Sequence, residues 1–144
     1  MPRVEQERTS DMFVHTDASY LIADSILGEL TFVHTALAAA GCTRVYASGD
    51  EEEALVLIER ERIDLVIVAW DAYHDGWELL RRLRDDPASR QLPVLFIFEA
   101  SVDPARVARL KQTDDHVLGY GVKPLSAEVL LHAIEQLFDT LSHW

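Results

Sequence analysis

Residues 63–80, IDLVIVAWDAYHDGWELL, decide the fold. The run LVIVAW from 65 to 70 is almost unbroken apolar and rich in branched side chains, which suits a strand covered on both faces of a parallel sheet. Asp75-Gly76 then opens a helix with Leu79, Leu80 and Leu83 inward, Arg81, Arg82 and Arg84 outward, and Trp77 as a partly buried packing residue. In open α/β sheets, ligands and chemistry collect just beyond the carboxyl ends of the strands, so residues 69–74 are where a site belongs.

Working outward, the same alternation of strand and helix recurs. Residues 19–23, SYLIA, read as a first strand, and Ile26, Leu30, Val33 and Leu37 follow at helical spacing up to Ala40, where Gly41 ends the helix. A second parse starts this helix near Ser19 and moves the first strand to 12–14; periodicity alone does not separate the two. Arg44 to Ala47 make a short strand, and Asp50 or Ser48 caps a helix whose Glu51, Glu52 and Glu53 complement the positive end of its dipole and whose inner face is Ala54, Leu55 and Ile58. Residues 93–98, PVLFIF, are a fourth strand with proline at its start, where a missing N–H is tolerated. A helix from Asp103-Pro104, a strand over 117–122 and a final helix capped by Ser126, with Leu130, Ile134, Leu137 and Leu141 inward, complete the chain. Five strand–helix units joined by short connections predict a doubly wound parallel sheet with helices on both faces. Residues 1–18 are polar and lack a sustained period, so the sequence divides into an arm, 1–18, and one domain, 19–144.

Composition narrows the function. With 144 residues the chain can bury a core without disulfides or metal. Its formal charge of -12 argues against general electrostatic binding to nucleic acid. Cys42 is the single cysteine and has no internal disulfide partner, as a reducing compartment allows. No apolar run approaches the ~20 residues that span a bilayer, and the first residues lack the apolar core of a signal peptide. The expectation is a soluble, cytoplasmic protein with no membrane contact and no bound cofactor. The six histidines form no metal-site spacing, and the acidic run 51–53 serves a helix end, since consecutive helical residues point in different directions.

The segments Asp64-Leu65-Val66, Asp75-Gly76, LLRRLR over 79–84, Leu92-Pro93-Val94 and YGVKPL over 120–125 fall, in order and spacing, as they do in the receiver domain of two-component response regulators, which the chain resembles from about Ser19 to its end. The resemblance implies a flavodoxin-like fold with five strands in the order 2-1-3-4-5, and it selects the parse in which 21–23 belong to the first strand. In that family an aspartate ending the third strand accepts a phosphoryl group, two acids after the first strand hold Mg²⁺, a Thr or Ser ends the fourth strand, an aromatic in the fifth strand switches rotamer, and a lysine pairs with the phosphate. Here Asp24 matches the first acid, but Ser25 stands at the second. Ala69 stands at the phosphoacceptor position, Phe98 or Glu99 at the hydroxyl position, and Tyr120 and Lys123 match the switch aromatic and the lysine. The loop to Asp75-Gly76 is one residue shorter than is usual in the family and lacks its proline.

Phosphoryl transfer needs an in-line acceptor, a metal and a cation on the transferred oxygens. Alanine has no nucleophile, and the loss of one carboxylate weakens a Mg²⁺ site at Asp24. The resemblance therefore implies a degenerate receiver that is no enzyme and signals without aspartyl phosphorylation through a protein partner. Its contact surface is expected on the fourth helix, fifth strand and fifth helix, carrying Arg106, Arg109 and Lys111, Tyr120, and Glu128, Glu135 and Asp139, where opposite charges meeting across a two-fold axis would give a homodimer. Two alternatives stay open. Asp71, two residues beyond Ala69 and on the same side of a continuing strand, would serve as a substitute acceptor with Asp24 and Mg²⁺. Otherwise the space beside Ala69, lined by Trp70, Phe98 and Tyr120, would hold a small ligand. In the bland reading Lys123 and Asp24 form an ion pair that orders the sheet edge. With the sequence stopping at the last helix, no DNA-binding output domain is expected within it, and output is expected from a partner or from a larger protein of which this is a segment.

Overall fold

A computed structural model of the chain describes residues 13–23, 31–70, 77–98, 103–113, 118–122 and 126–142. Its elements are β1 (Ser19–Ala23), α1 (Thr31–Ala39), β2 (Arg44–Ser48), α2 (Glu51–Arg60), β3 (Leu65–Trp70), α3 (Trp77–Asp85), β4 (Val94–Phe98), α4 (Pro104–Thr113), β5 (Leu118–Val122) and α5 (Ala127–Ser142). The strands pair in parallel in the order β2-β1-β3-β4-β5, with β3 in the centre. This is the doubly wound parallel arrangement read from the sequence. Residues 24–30, which include Asp24, Ser25, Ile26 and Leu30, lie outside the described residues.

The sheet divides the core in two, because successive side chains of a strand point to opposite faces. Tyr20, Ile22, Leu65, Ile67, Ala69, Leu95 and Ile97 pack with α1 and α5 through Val33, Leu37, Leu130, Ile134 and Leu137. Leu21, Val66, Val68, Val94, Phe96 and Phe98 pack with α2 and α3 through Ala54, Leu79, Leu80 and Leu83. Two glycines are needed where they stand. Gly41 ends α1 at φ 103°, a left-handed conformation that side chains other than glycine's rarely adopt. At Gly119 in β5 a Cβ would come within 3.0 Å of Leu95 Cδ1 and 3.4 Å of Leu137 Cδ2, so the bare backbone lets α5 lie close on the sheet.

Local chemistry on α2 and α3 differs in part from the expected pattern. Asp50 caps α2, its Oδ1 accepting the Glu53 N–H at 2.7 Å, while Glu53 Oε1 accepts the Gly49 N–H at 3.1 Å. Arg82 and Arg84 do not simply face water. Arg82 Nη1 donates to Glu51 at 2.8 Å and Glu52 at 2.6 Å, joining α3 to α2, and half-buried Arg84 donates to the Ser89 carbonyl at 3.2 Å. The reason is the length of the arginine side chain, which carries the guanidinium back over its own helix to acceptors on the next element. Arg81 remains an exposed partner of Glu78 and Asp85, and Trp77 is 39% exposed at the start of α3.

Ser48, the other cap candidate, is buried at the end of β2, and its hydroxyl has no hydrogen-bond partner among the described residues. An unsatisfied buried hydroxyl forfeits its hydration without compensation. Ser48→Ala is therefore expected to raise the unfolding free energy by about 1 kcal/mol, read as a higher urea midpoint at unchanged slope.

The end of the arm joins the domain. Phe13 is 5% exposed and belongs to the core on the α1 and α5 side. His15 lies against Phe138 of α5 with ring centroids 4.5 Å apart, and its carbonyl accepts the Tyr20 hydroxyl at 2.6 Å. Residues 1–12 lie outside the described residues.

Tyr20 and Cys42 belong to the same buried cluster in this corner, and burial pushes both the phenol and the thiol above their ordinary ranges. The folded state thus holds these protons more tightly than the unfolded chain does. Their contribution is complete at neutral pH and is lost as pH rises through the unfolded values, about 8.5 for a thiol and about 10 for a phenol. The urea midpoint is expected to fall from pH 8 to pH 10.5, and Cys42→Ala to remove the part of the fall that begins near 8.5.

Candidate functional site

Strands β1, β3, β4 and β5 end at Ala23, Trp70, Phe98 and Val122 along one edge of the sheet. Ala69, the penultimate residue of β3, is 8% exposed, sits opposite Ile97 of β4 and belongs to the face covered by α1 and α5. Its methyl group offers neither a nucleophile nor a metal ligand. Asp24, Ser25, Asp71, His74, Glu99 and Lys123 all lie outside the described residues. Among the described residues no cluster of three or more His, Cys, Asp or Glu side chains could hold a metal ion.

Phe98 requires a correction. It pairs with Trp70 and Val122 in register, is 1% exposed, and packs on the α2 and α3 face with its ring 5.9 Å from that of Phe96. Ala69 and Phe98 are one register position out of phase, so the sheet itself separates them. They do not line one space for a small ligand as the sequence suggested. Tyr120 is placed by register opposite Phe96 in the middle of β5, two residues before the strand end.

At the opposite, amino-terminal edge of the strands, a groove of about 550 Å³ lies among Ile63, Asp64, Pro87, Ala88, Arg90, Gln91, Leu92 and Pro93. Asp64 is a structural tie there. Its Oδ2 accepts the Ser19 N–H at 2.8 Å and its own N–H donates to the Ser19 carbonyl at 2.8 Å, locking the start of β1 to the approach of β3. Sequence reading used Asp64 only as an anchor. An acid directly before an edge of parallel pairing, where a neighbouring strand begins with an unpaired N–H, is the signal that would have found this role.

The expected contact face is rearranged on α5. Arg106 and Arg109 are exposed on α4, and Lys111 lies in the same helix. Glu135, however, is half-buried and accepts the Val14 N–H at 3.3 Å, on the flank where Phe138 meets His15. Glu128 and Asp139 are exposed on the same helix. Leu137 is the residue that approaches β5, and Val129, Ala133, Gln136 and Thr140 lie beyond it. The α5 side of a face shared with α4 and β5 is therefore these small and neutral residues, with Val129 53% exposed. Glu135 was read as part of the contact face because helical periodicity alone fixes which residues are opposite the core and not which neighbour each flank meets.

No family model matches the chain. Over 123 residues it is 28% identical to the chemotaxis protein CheY of Pseudomonas aeruginosa, covering 85% of this chain and 97% of that one. Among solved structures it is similar to the chemotaxis response regulator CheY4 of Vibrio cholerae, at 25% identity and a TM-score of 0.69, over 85% of this chain and 99% of that one. A response regulator receiver modulated diguanylate cyclase from Pelobacter carbinolicus also matches at 25% identity and a TM-score of 0.66, over 88% of this chain and 96% of that one. These likenesses support a CheY-like receiver domain. No helix among the described residues is long and apolar enough to cross a membrane.

Proposed function

We propose that this receiver-like domain is a phosphorylation-independent signalling module that acts in the cytoplasm through contact with a protein partner. One observation carries the reading: the penultimate residue of central strand β3, which the resemblance matches to the phosphoacceptor, is a buried alanine. Aspartyl phosphorylation forms a bond between a carboxylate oxygen and phosphorus, and alanine has no atom that can form it. Signalling then depends on which conformation and which surface the protein presents, and the module needs no catalysis of its own. The face that fits a partner is the one shared by α4, β5 and α5, which carries exposed Arg106 and Arg109 on α4 and exposed Val129 on α5.

The test is to incubate the protein with a small phosphodonor and Mg²⁺ and to weigh it intact. An unchanged mass is expected. A phosphate adduct abolished by Asp71→Asn would overturn the proposal in favour of a substitute acceptor, as would an adduct that survives Asp71→Asn and maps to any other aspartate.

A further inference from the structure

We infer that residues 13–18 form a latch on α5 that opens locally, without unfolding of the domain, and uncovers the corner occupied by Tyr20 and Cys42. The segment has no strand pairing of its own and is held by a small set of discrete contacts. Phe13 is inserted into the core, the His15 ring rests on Phe138, the Tyr20 hydroxyl donates to the His15 carbonyl, and the Val14 N–H donates to Glu135. Beside these anchors Val14 is 69% exposed, and the turn at Thr16 and Asp17 leads directly into β1. Thr16 lies over the end of α1, its Cγ2 3.5 Å from where a Cβ on Gly41 would stand. The next residue, Cys42, is buried in the same core cluster as Phe13 and Tyr20. The latch thus roofs the single cysteine of the chain.

Local openings of this kind are governed by the few apolar contacts that hold a segment, and their free energies fall far below that of global unfolding. Phe13 is the dominant anchor because it alone is fully inserted. Opening would also release Glu135 and Phe138 on α5, so the residues preceding β1 are mechanically connected to one of the helices of the proposed contact face. That last consequence rests on the functional reading above; the latch itself does not.

The full chain tests it, with Cys42 as the reporter. The rate at which a small maleimide labels Cys42 in the absence of denaturant is expected to rise on the order of 30-fold in Phe13→Ala, the effect on an opening equilibrium of losing one aromatic side chain's burial. Phe138→Ala, which removes the surface beneath His15, should raise it in the same sense. Leu83→Ala, on the other face of the sheet, lowers global stability and should leave this rate within about twofold. The inference is overturned if Phe13→Ala labels no faster than the parent, or if Leu83→Ala accelerates labelling as much as Phe13→Ala does, since the thiol is then reached by global unfolding alone. These outcomes are independent of the phosphodonor experiment, so the latch and the signalling proposal can fail separately.

Discussion

Ala69→Asp, the substitution that would place a carboxylate at the position the resemblance matches to the phosphoacceptor, is expected to destabilise the protein by about 3 kcal/mol at neutral pH. Ala69 is 8% exposed and belongs to an apolar cluster that includes Ile67, Ile97 and Leu65. An aspartate there exchanges a methyl group for a carboxylate that loses most of its hydration among apolar neighbours. The cost should depend on pH in a defined direction. Burial raises the carboxyl pKa in the folded state above its unfolded value of about 3.9, so the variant recovers stability as pH falls toward that value and loses it as pH rises. Urea denaturation of parent and variant at pH 4.5 and pH 7.5 measures both. An equal difference at the two values would mean that the new carboxylate is solvated or paired, and the edge of the sheet would then be more hospitable to charge than its apolar lining indicates.

Phe96→Ala is expected to cost about 4 kcal/mol and to lower the melting temperature by roughly 12 °C. Phe96 is fully buried in the middle of β4, on the face beneath α2 and α3, with the Phe98 ring 5.9 Å away. Truncation removes the burial of a whole ring and leaves a cavity between a rigid sheet and two helices, which close-packed neighbours fill only in part. Phe96→Leu keeps most of the volume and should cost about 1.5 kcal/mol. Thermal melts followed by circular dichroism separate the two variants; similar losses for both would show that the aromatic contact with Phe98, and not volume, dominates at this position.

The sheet was legible because its signals are redundant. The apolar runs of β3 and β4, the inward leucines of α3 and the cap at Asp50 each follow from chemistry within a few residues, and each is found where the sequence places it. Ala69 followed in the same way, by counting along one strand. What was not legible depends on how elements meet. Phe98 shares the sheet edge with Ala69 yet lies on the other face, because neighbouring strands carry a register that one strand's sequence does not state. Glu135 was read as part of an exposed face and instead receives the Val14 N–H from a segment that has no period to announce its docking. Arg82 and Arg84 were read as outward because their positions on α3 are opposite the leucines, but a long side chain is placed by its acceptors, Glu51, Glu52 and the Ser89 carbonyl.

The division of the core by the sheet has a consequence for how the protein tolerates change. Phe96 and Leu37 belong to clusters on opposite faces, and the side chains of the two clusters meet only through the strands' shared backbone. Substitutions more than a contact apart, with no common partner, combine additively, so a double variant such as Phe96→Ala with Leu37→Ala should lose the sum of the two single losses within about 0.5 kcal/mol. The two layers can therefore accumulate or be given new packing separately, one beneath α2 and α3, the other beneath α1 and α5. A sequence drifting on one side does not oblige the other to follow.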